Sequence, residues 1–160
     1  MLSIRLICVG KLKERFYAEA AAEYSKRLSA FCRLELIEIA EERLGEHPSA
    51  AEIEAALNRE AEQIEKKLPK DGTLVCLCVE GGQMESEAFA ELLTRAENSG
   101  RPRLSFVIGG SFGLAEKLKN RADLRLSMSK MTFPHHLARV MLLEQIYRGF
   151  QIKEGSRYHK

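Results

Sequence analysis

Five short apolar, β-rich runs punctuate this chain, and a stretch of helical periodicity or polar helix-forming residues separates each from the next. No other feature restricts the available folds so strongly. Leu2 to Val9 ends at Gly10, and Glu14 to Leu28 then sets Phe16, Ala20, Tyr24 and Leu28 on one helical stripe. Arg33 to Ala40 alternates, with Leu34, Leu36 and Glu38 facing one way and Glu35, Ile37 and Ile39 the other, as in a strand near a sheet edge. Ser49-Ala-Ala-Glu52 has capping-box spacing and opens an amphipathic helix reaching Lys67, which Pro69 and Gly72 stop. Thr73 to Val79 is almost wholly apolar, which predicts a central strand covered on both faces and ended by Gly81-Gly82. A helix starting at Glu85 to Glu87 and running to Asn98, a strand from Leu104 to Ile108, a short helix from Leu114 to Arg121 and a brief strand from Leu124 to Ser127 follow. A last helix, Pro134 to Phe150, carries apolar residues on more than one stripe, so much of it must be buried, in part against another subunit. Strict alternation of this kind predicts an α/β fold with a mainly parallel sheet and helices on both faces. With 160 residues, 45% of them hydrophobic, the chain has material for one core and is expected to form a single domain, residues 1–160.

Several function classes are disfavoured at once. No apolar run approaches the ~20 residues of a membrane span, and Met1 to Gly10 lacks the charged-then-apolar build of a secretion signal. Cys8, Cys32, Cys76 and Cys78 lie in or beside apolar strand-like runs, as free buried thiols do, so a soluble protein of the reducing cytoplasm is expected. Cys76 and Cys78 have no second pair or nearby histidine to complete a zinc set, and no metal is expected. Charge is segregated along the chain. Residues 1–100 hold 13 Lys and Arg against 19 Asp and Glu, whereas residues 101–160 hold 12 against 4. A basic final third points to a polyanion such as RNA on one face; the alternative is solvated helix surfaces.

Phe106-Val-Ile-Gly-Gly-Ser-Phe-Gly113 is the stretch most suited to a ligand, because an apolar strand stops there at adjacent glycines before a helix. Glycine accepts positive φ and lets a ligand approach bare backbone. Gly109 to Gly113 also matches the Gly-x-Ser-x-Gly nucleophile elbow, which makes a small serine hydrolase a rival reading. It would use Ser111 with Asp123 or Glu144 and His135, His136 or His159, but the chain is short for that fold and has no His-Gly-Gly-Gly stretch. The glycine spacing fits neither a dinucleotide fingerprint nor a phosphate loop. His135 and His136 fall in the first turn of the last helix, where the dipole favours neutral rings. The tail, Gly155-Ser-Arg-Tyr-His-Lys160, reads either as a frayed terminus or as a proton carrier, a stacking ring and cations for an RNA base and phosphate.

Taken in order, Phe106 to Gly113, Leu126-Ser-Met-Ser-Lys-Met-Thr-Phe-Pro-His-His-Leu-Ala-Arg-Val140, Glu144-Gln-Ile-Tyr-Arg148 and Tyr158-His159 closely resemble the bacterial ribosomal large-subunit pseudouridine N3-methyltransferases of the SPOUT class. The resemblance extends over essentially the whole chain, including Val9-Gly10-Lys11 and Glu35 to Ile39. It implies a deep trefoil knot in the C-terminal part, about residues 103–153, an obligate homodimer, and S-adenosylmethionine held by the knot loops. By position, the cofactor residues would be Leu77, Gly109, Gly110, Met128, Ser129, Lys130, Met131, Thr132 and Phe133. The implied reaction is methyl transfer to N3 of a pseudouridine of large-subunit rRNA in the assembled ribosome. N3 carries a proton, so the reaction needs proton removal and charge stabilisation. Arg139 is the candidate for the second task, and His159 or Tyr158, from the partner subunit, for the first. Lys117, Lys119, Arg121 and Arg125 are candidate phosphate contacts, with Arg157 and Lys160 nearer the base. A non-catalytic RNA-binding dimer of the same fold is the remaining alternative.

Overall fold

The computed structural model describes all 160 residues. Five strands, β1 (Ser3–Val9), β2 (Arg33–Ile39), β3 (Thr73–Gly82), β4 (Arg103–Ile108) and β5 (Leu124–Leu126), alternate with five helices: α1 (Arg15–Leu28), α2 (Ala50–Lys67), α3 (Ser86–Asn98), α4 (Glu116–Arg121) and α5 (His135–Lys153). The strands form one sheet in the order β2-β1-β4-β3-β5, and every pairing is parallel. Each connection therefore crosses the sheet, and the crossovers put helices on both faces.

Side-chain alternation divides the core into two layers. Ile4, Leu6 and Cys8 of β1, Val75 of β3 and Leu104, Phe106 and Ile108 of β4 face α1, α3 and α5. On the other side, Ile7, Val9, Leu74, Cys76 and Val107 meet Ala61 and Ile64 of α2 and Leu118 of α4. Phe106 is fully buried at the middle of the sheet, where covering such a ring stabilises by roughly 1.5–3 kcal/mol. β2 lies at an edge, as its alternation predicts. β3 is an interior strand, paired with β4 and β5 and covered on both faces as its apolar run predicts, and β4 holds the middle place among the five.

Local signals set several boundaries. The Glu52 N–H donates to Ser49 Oγ at 3.1 Å and the Ser49 N–H donates to Glu52 Oε1 at 3.2 Å, completing the capping box of α2. Three boundaries differ from the expectation by more than one residue. α4 starts at Glu116 because Leu114 and Ala115 turn into the core instead of beginning a helical turn. α5 continues to Lys153, and Pro134 stands just before its first turn, with its carbonyl accepting from the Ala138 N–H at 2.9 Å. β3 runs on through Gly81 and Gly82, across the end of β5. A Cβ on Gly81 would lie 2.8 Å from the Arg125 carbonyl carbon and oxygen, and the Ser127 N–H donates to the Gly82 carbonyl at 2.9 Å. Only a residue without a side chain fits that crossing.

α3 and α5 approach closely at Gly149, where a Cβ would meet Leu93 Cδ1 at 2.6 Å and Ala90 Cα at 3.5 Å. Replacing Gly149 by Val is expected to lower unfolding stability by roughly 1–3 kcal/mol through overpacking, measured by urea denaturation.

Candidate functional site

The parallel sheet brings the C-terminal ends of β3, β4 and β5 to one edge, and a cleft of about 830 Å³ opens there. Its first wall is Leu77 to Glu80, its second Ile108 to Leu114, and its third Leu126 to Ser129 with Met131 to Phe133. Pro134, His135 and Ala138, from the start of α5, close the back. Of the nine residues expected to hold a cofactor, all but Lys130 line this one cleft; Lys130 is exposed and outside the lining. One exposed apolar side chain from each wall stands at the rim: Val79, Phe112 and Met131, which are 59%, 50% and 75% exposed. Apolar rims around bare backbone suit a flat ligand with polar edges.

The glycines of the second wall act differently from the expectation. Neither Gly109 nor Gly110 has positive φ; the left-handed residue is Gly113, at φ 83°. The loop curls on itself, the Gly113 N–H donating to the Gly110 carbonyl at 3.0 Å. A Cβ on Gly109 would sit 2.3 Å from the Gly113 carbonyl oxygen, so Gly109 is required by close approach of backbone to backbone. In the third wall Ser127 Oγ donates to the Ser129 carbonyl at 2.9 Å, and the Met131 N–H donates to Ser129 Oγ at 3.0 Å. Those bonds shape a segment that has no helical or strand period of its own.

Ser111 is not arranged as a hydrolase nucleophile. It is exposed, has no positive φ and has no histidine in hydrogen-bond contact; its N–H reaches only Glu41 Oε1, at 3.5 Å. A nucleophile elbow needs a strained backbone and a paired base.

Arg139 lies outside the cleft lining, one turn into α5, and is only 3% exposed. Its Nη1 donates to Glu38 Oε2 at 2.7 Å and its Nη2 to the Gly10 carbonyl at 3.1 Å, while its Nε has no partner. Both guanidinium ends therefore tie α5 to β2 and to the loop after β1. The Leu12 N–H shares Glu38 Oε2, at 3.1 Å. His135 does line the cleft. Burial, then the neighbouring His136, lowers its pKa, which keeps the ring neutral as its place at a helix start suggests.

The tail is folded back rather than frayed. Tyr158 Oη donates to Glu144 Oε1 at 3.2 Å, and its ring packs edge-on to Tyr147 and under the Arg148 guanidinium, with centroid distances of 4.9 Å for each. His159 Nε2 lies 2.7 Å from Glu87 Oε1 and its Nδ1 3.1 Å from Arg148 Nη1. Burial, followed by the Glu144 charge, pushes the Tyr158 phenol up to about 12, so it stays protonated and acts as a donor. Glu144 and Arg148 hold the tail in place; their four-residue spacing on a helix was the available sequence signal. Glu144 lines a neighbouring depression of about 500 Å³ that shares Leu126, Ser127 and Met128 with the cleft. Within one chain, then, Tyr158 and His159 do not join the cleft lining.

The candidate phosphate contacts also divide. Lys119 and Arg125 are engaged with Glu80 and Glu116, whereas Lys117, Arg121, Arg157 and Lys160 are exposed and make no ion pair. Burial pushes the thiols of Cys8, Cys32 and Cys76 up to about 12, leaving them unreactive, and no cluster of His, Cys, Asp or Glu is arranged to hold a metal.

Burial alone would raise the pKa of Glu38, but the Arg139 guanidinium and the Leu12 N–H more than offset it and hold the carboxyl below its ordinary 4.5. A lowered folded-state pKa gives stability that is present above the unfolded value and lost as pH falls through the folded one. The stability difference between the wild type and Glu38→Gln is thus expected to be constant above about pH 5 and to shrink in more acid solution, as followed by urea denaturation at a series of pH values.

Comparison with known proteins matches these observations. The family model described as "Predicted SPOUT methyltransferase" covers residues 2–159. A protein of Streptococcus equi subsp. zooepidemicus named Ribosomal RNA large subunit methyltransferase H is 46% identical over 159 residues, which are 99% of this chain and 100% of that protein. The protein of the same name from Streptococcus pyogenes serotype M5 is 44% identical over the same shares. Among solved structures, a probable methylase family protein from Haemophilus influenzae superposes with a TM-score of 0.54 at 15% identity, over 98% of this chain and 70% of that one, a likeness of fold. By its match over nearly every residue and by its sheet with three strand ends around one cleft, the chain belongs to the SPOUT methyltransferase family.

Proposed function

We propose that this chain methylates large-subunit ribosomal RNA, with S-adenosylmethionine as donor and N3 of a pseudouridine in the assembled ribosome as acceptor. The observation that carries this reading is the full-length 46% identity to proteins named Ribosomal RNA large subunit methyltransferase H. No helix is long and apolar enough to cross a membrane, which agrees with action on ribosomes in the cytoplasm.

The cleft fits the donor. Backbone at Gly109 and Gly110 and the apolar side chains Leu77, Met128 and Phe133 offer a slot for an adenosine. The one cation in the lining, Lys119, is neutralised by Glu80 and Glu116, so little repels a positively charged sulfonium. When bound, the donor supplies an electrophilic methyl group. The work left to the chain is to orient the acceptor nitrogen and accept its proton.

The separation of tail and cleft within one chain supports a homodimer in which the partner's tail completes the site. Half-exposed Val140 and Met141 on α5, beside the depression that Tyr24 and Met84 also line, supply an apolar surface for that contact. His159 is the better candidate for the proton, because Tyr158 remains protonated. Arg139 would act by holding the base of α5, since both ends of its guanidinium are occupied. The crossing of Gly81 and Gly82 over β5 supports a trefoil knot closed by the loop after β3. Lys117, Arg121, Arg157 and Lys160 are the free cations for phosphate, and binding to ribosomes should weaken steeply with salt.

Calorimetry with S-adenosylmethionine and transfer of labelled methyl groups to ribosomes test the reading. The wild type is expected to bind the donor and to label large-subunit RNA; absence of both would overturn it. A chain ending at Gly155 is expected to keep donor affinity within about threefold and to lose at least about a hundredfold in methylation, the usual scale for losing a positioned proton acceptor. Full activity in the shortened chain would remove the tail from the site.

A further inference from the structure

The first wall of the cleft is poorly held by the sheet. β3 pairs with β4 only as far as Leu77 opposite Ile108. Its pairing with β5 shifts between Leu77 and Gly82, both set against Leu126, so Cys78 to Gly81 have no ladder partner on either side. The middle of that segment is fastened by charge. Lys119 of α4, with a side chain 15% exposed, donates from Nζ to Glu80 Oε1 at 2.5 Å and to Glu116 Oε2 at 3.3 Å. Arg125 of β5 donates from Nε to the Lys119 carbonyl at 3.2 Å, and from Nη2 to Asn120 Oδ1 at 2.6 Å and Glu116 Oε1 at 3.5 Å.

The four charged residues reach all three walls. Glu80 belongs to the first; α4, which carries Glu116 and Lys119, follows directly on the glycine loop of the second; Arg125 stands on the strand that opens into the third. We infer that Lys119 is a positioning residue that fixes the three walls of the methyl-donor cleft relative to one another, and that it makes no RNA phosphate contact. The role rests on the reading of the cleft as the donor site. Turning the ammonium outward to a phosphate would leave Glu80 without its cation, Glu116 keeping Arg125, and would release the unladdered end of β3. The Glu80 hydrogen bond, ahead of the opposing burial, raises the Lys119 pKa, so the ammonium stays charged wherever the protein is folded and active. Isolated exposed pairs contribute little, but a half-buried group bonded on several sides is where such networks hold structure.

The test compares Lys119→Met and Lys119→Arg in the full chain with the wild type. For Lys119→Met the dissociation constant for S-adenosylmethionine is expected to rise about five- to tenfold by calorimetry, an effect on the scale of one such network. The KM for the donor should rise in parallel, with kcat at saturating donor within about twofold of wild type, since no reacting atom is touched. Lys119→Arg should recover most of the affinity, and ribosome affinity and its salt dependence should not change. If Lys119→Met fails to fold, Glu116→Gln, at a side chain 67% exposed, is expected to show a smaller rise in the same direction. Unchanged donor affinity, or a ribosome-binding salt slope reduced by about one with donor affinity intact, would overturn the role in favour of none or of a phosphate contact. A wild type that binds no donor would instead overturn the reading of the cleft, and this role with it.

Discussion

The crossing of two backbones at Gly81 is the constraint on which the rest of the site depends. Because no side chain stands between β3 and the Arg125–Leu126 peptide, the end of β3 lies directly against the end of β5 and pairs with it again at Gly82. The parallel sheet already sets the ends of β3 and β5 side by side at one edge, and the crossing adds a close approach of their backbones beyond the regular ladder. The Ser127 N–H bonded to the Gly82 carbonyl fastens that contact where the third wall begins. Close backbone approach recurs at Gly109 against Gly113, and the two crossings flank one cleft.

Electrostatics refine this frame without creating it. The basic final third of the sequence is partly neutralised inside the fold: Arg139 by Glu38, Arg148 by Glu144, Lys119 and Arg125 by Glu80 and Glu116. Three of these pairs join segments far apart in sequence or anchor the tail. Net charge per segment therefore overstates the cation surface open to RNA, and the unpaired cations of that third are the smaller set Lys117, Arg121, Lys130, Arg157 and Lys160.

Local pattern made the helices and strands legible, through periodicity in elements such as α1, α2 and β2 and through apolar runs and stop residues in β3 and α5, because each signal depends on neighbours a few residues away. Strand order was not legible. The apolar run of β3 suits any interior position, and β1, β3 and β4 all pack residues against both helical layers, so their local patterns do not order them. The three candidate loops could be read as lying at strand ends, hence at one edge. The roles of single residues inside them could not: Gly109 owes its identity to the Gly113 carbonyl, which depends on a loop curl that spacing does not encode. Arg139 and Lys119 looked like free cations because their partners, Glu38 and Glu80, are distant along the chain. The tail looked unanchored for the same reason, since Glu87 lies on α3.

The place of α5 bears on when this fold can exist. It is the last of the ten elements to leave the ribosome in synthesis, yet Leu142, Leu143, Ile146 and Phe150 complete the layer over β1 and β4 and its first turn closes the cleft. Until it docks, the layer over Ile4, Leu6 and Phe106 consists of α1 and α3 alone, and the apolar flanks those two helices turn toward α5 stay open. The cleft is therefore complete only when the final helix is seated between α1 and α3, and that seating joins segments far apart along a chain whose sheet is wholly parallel.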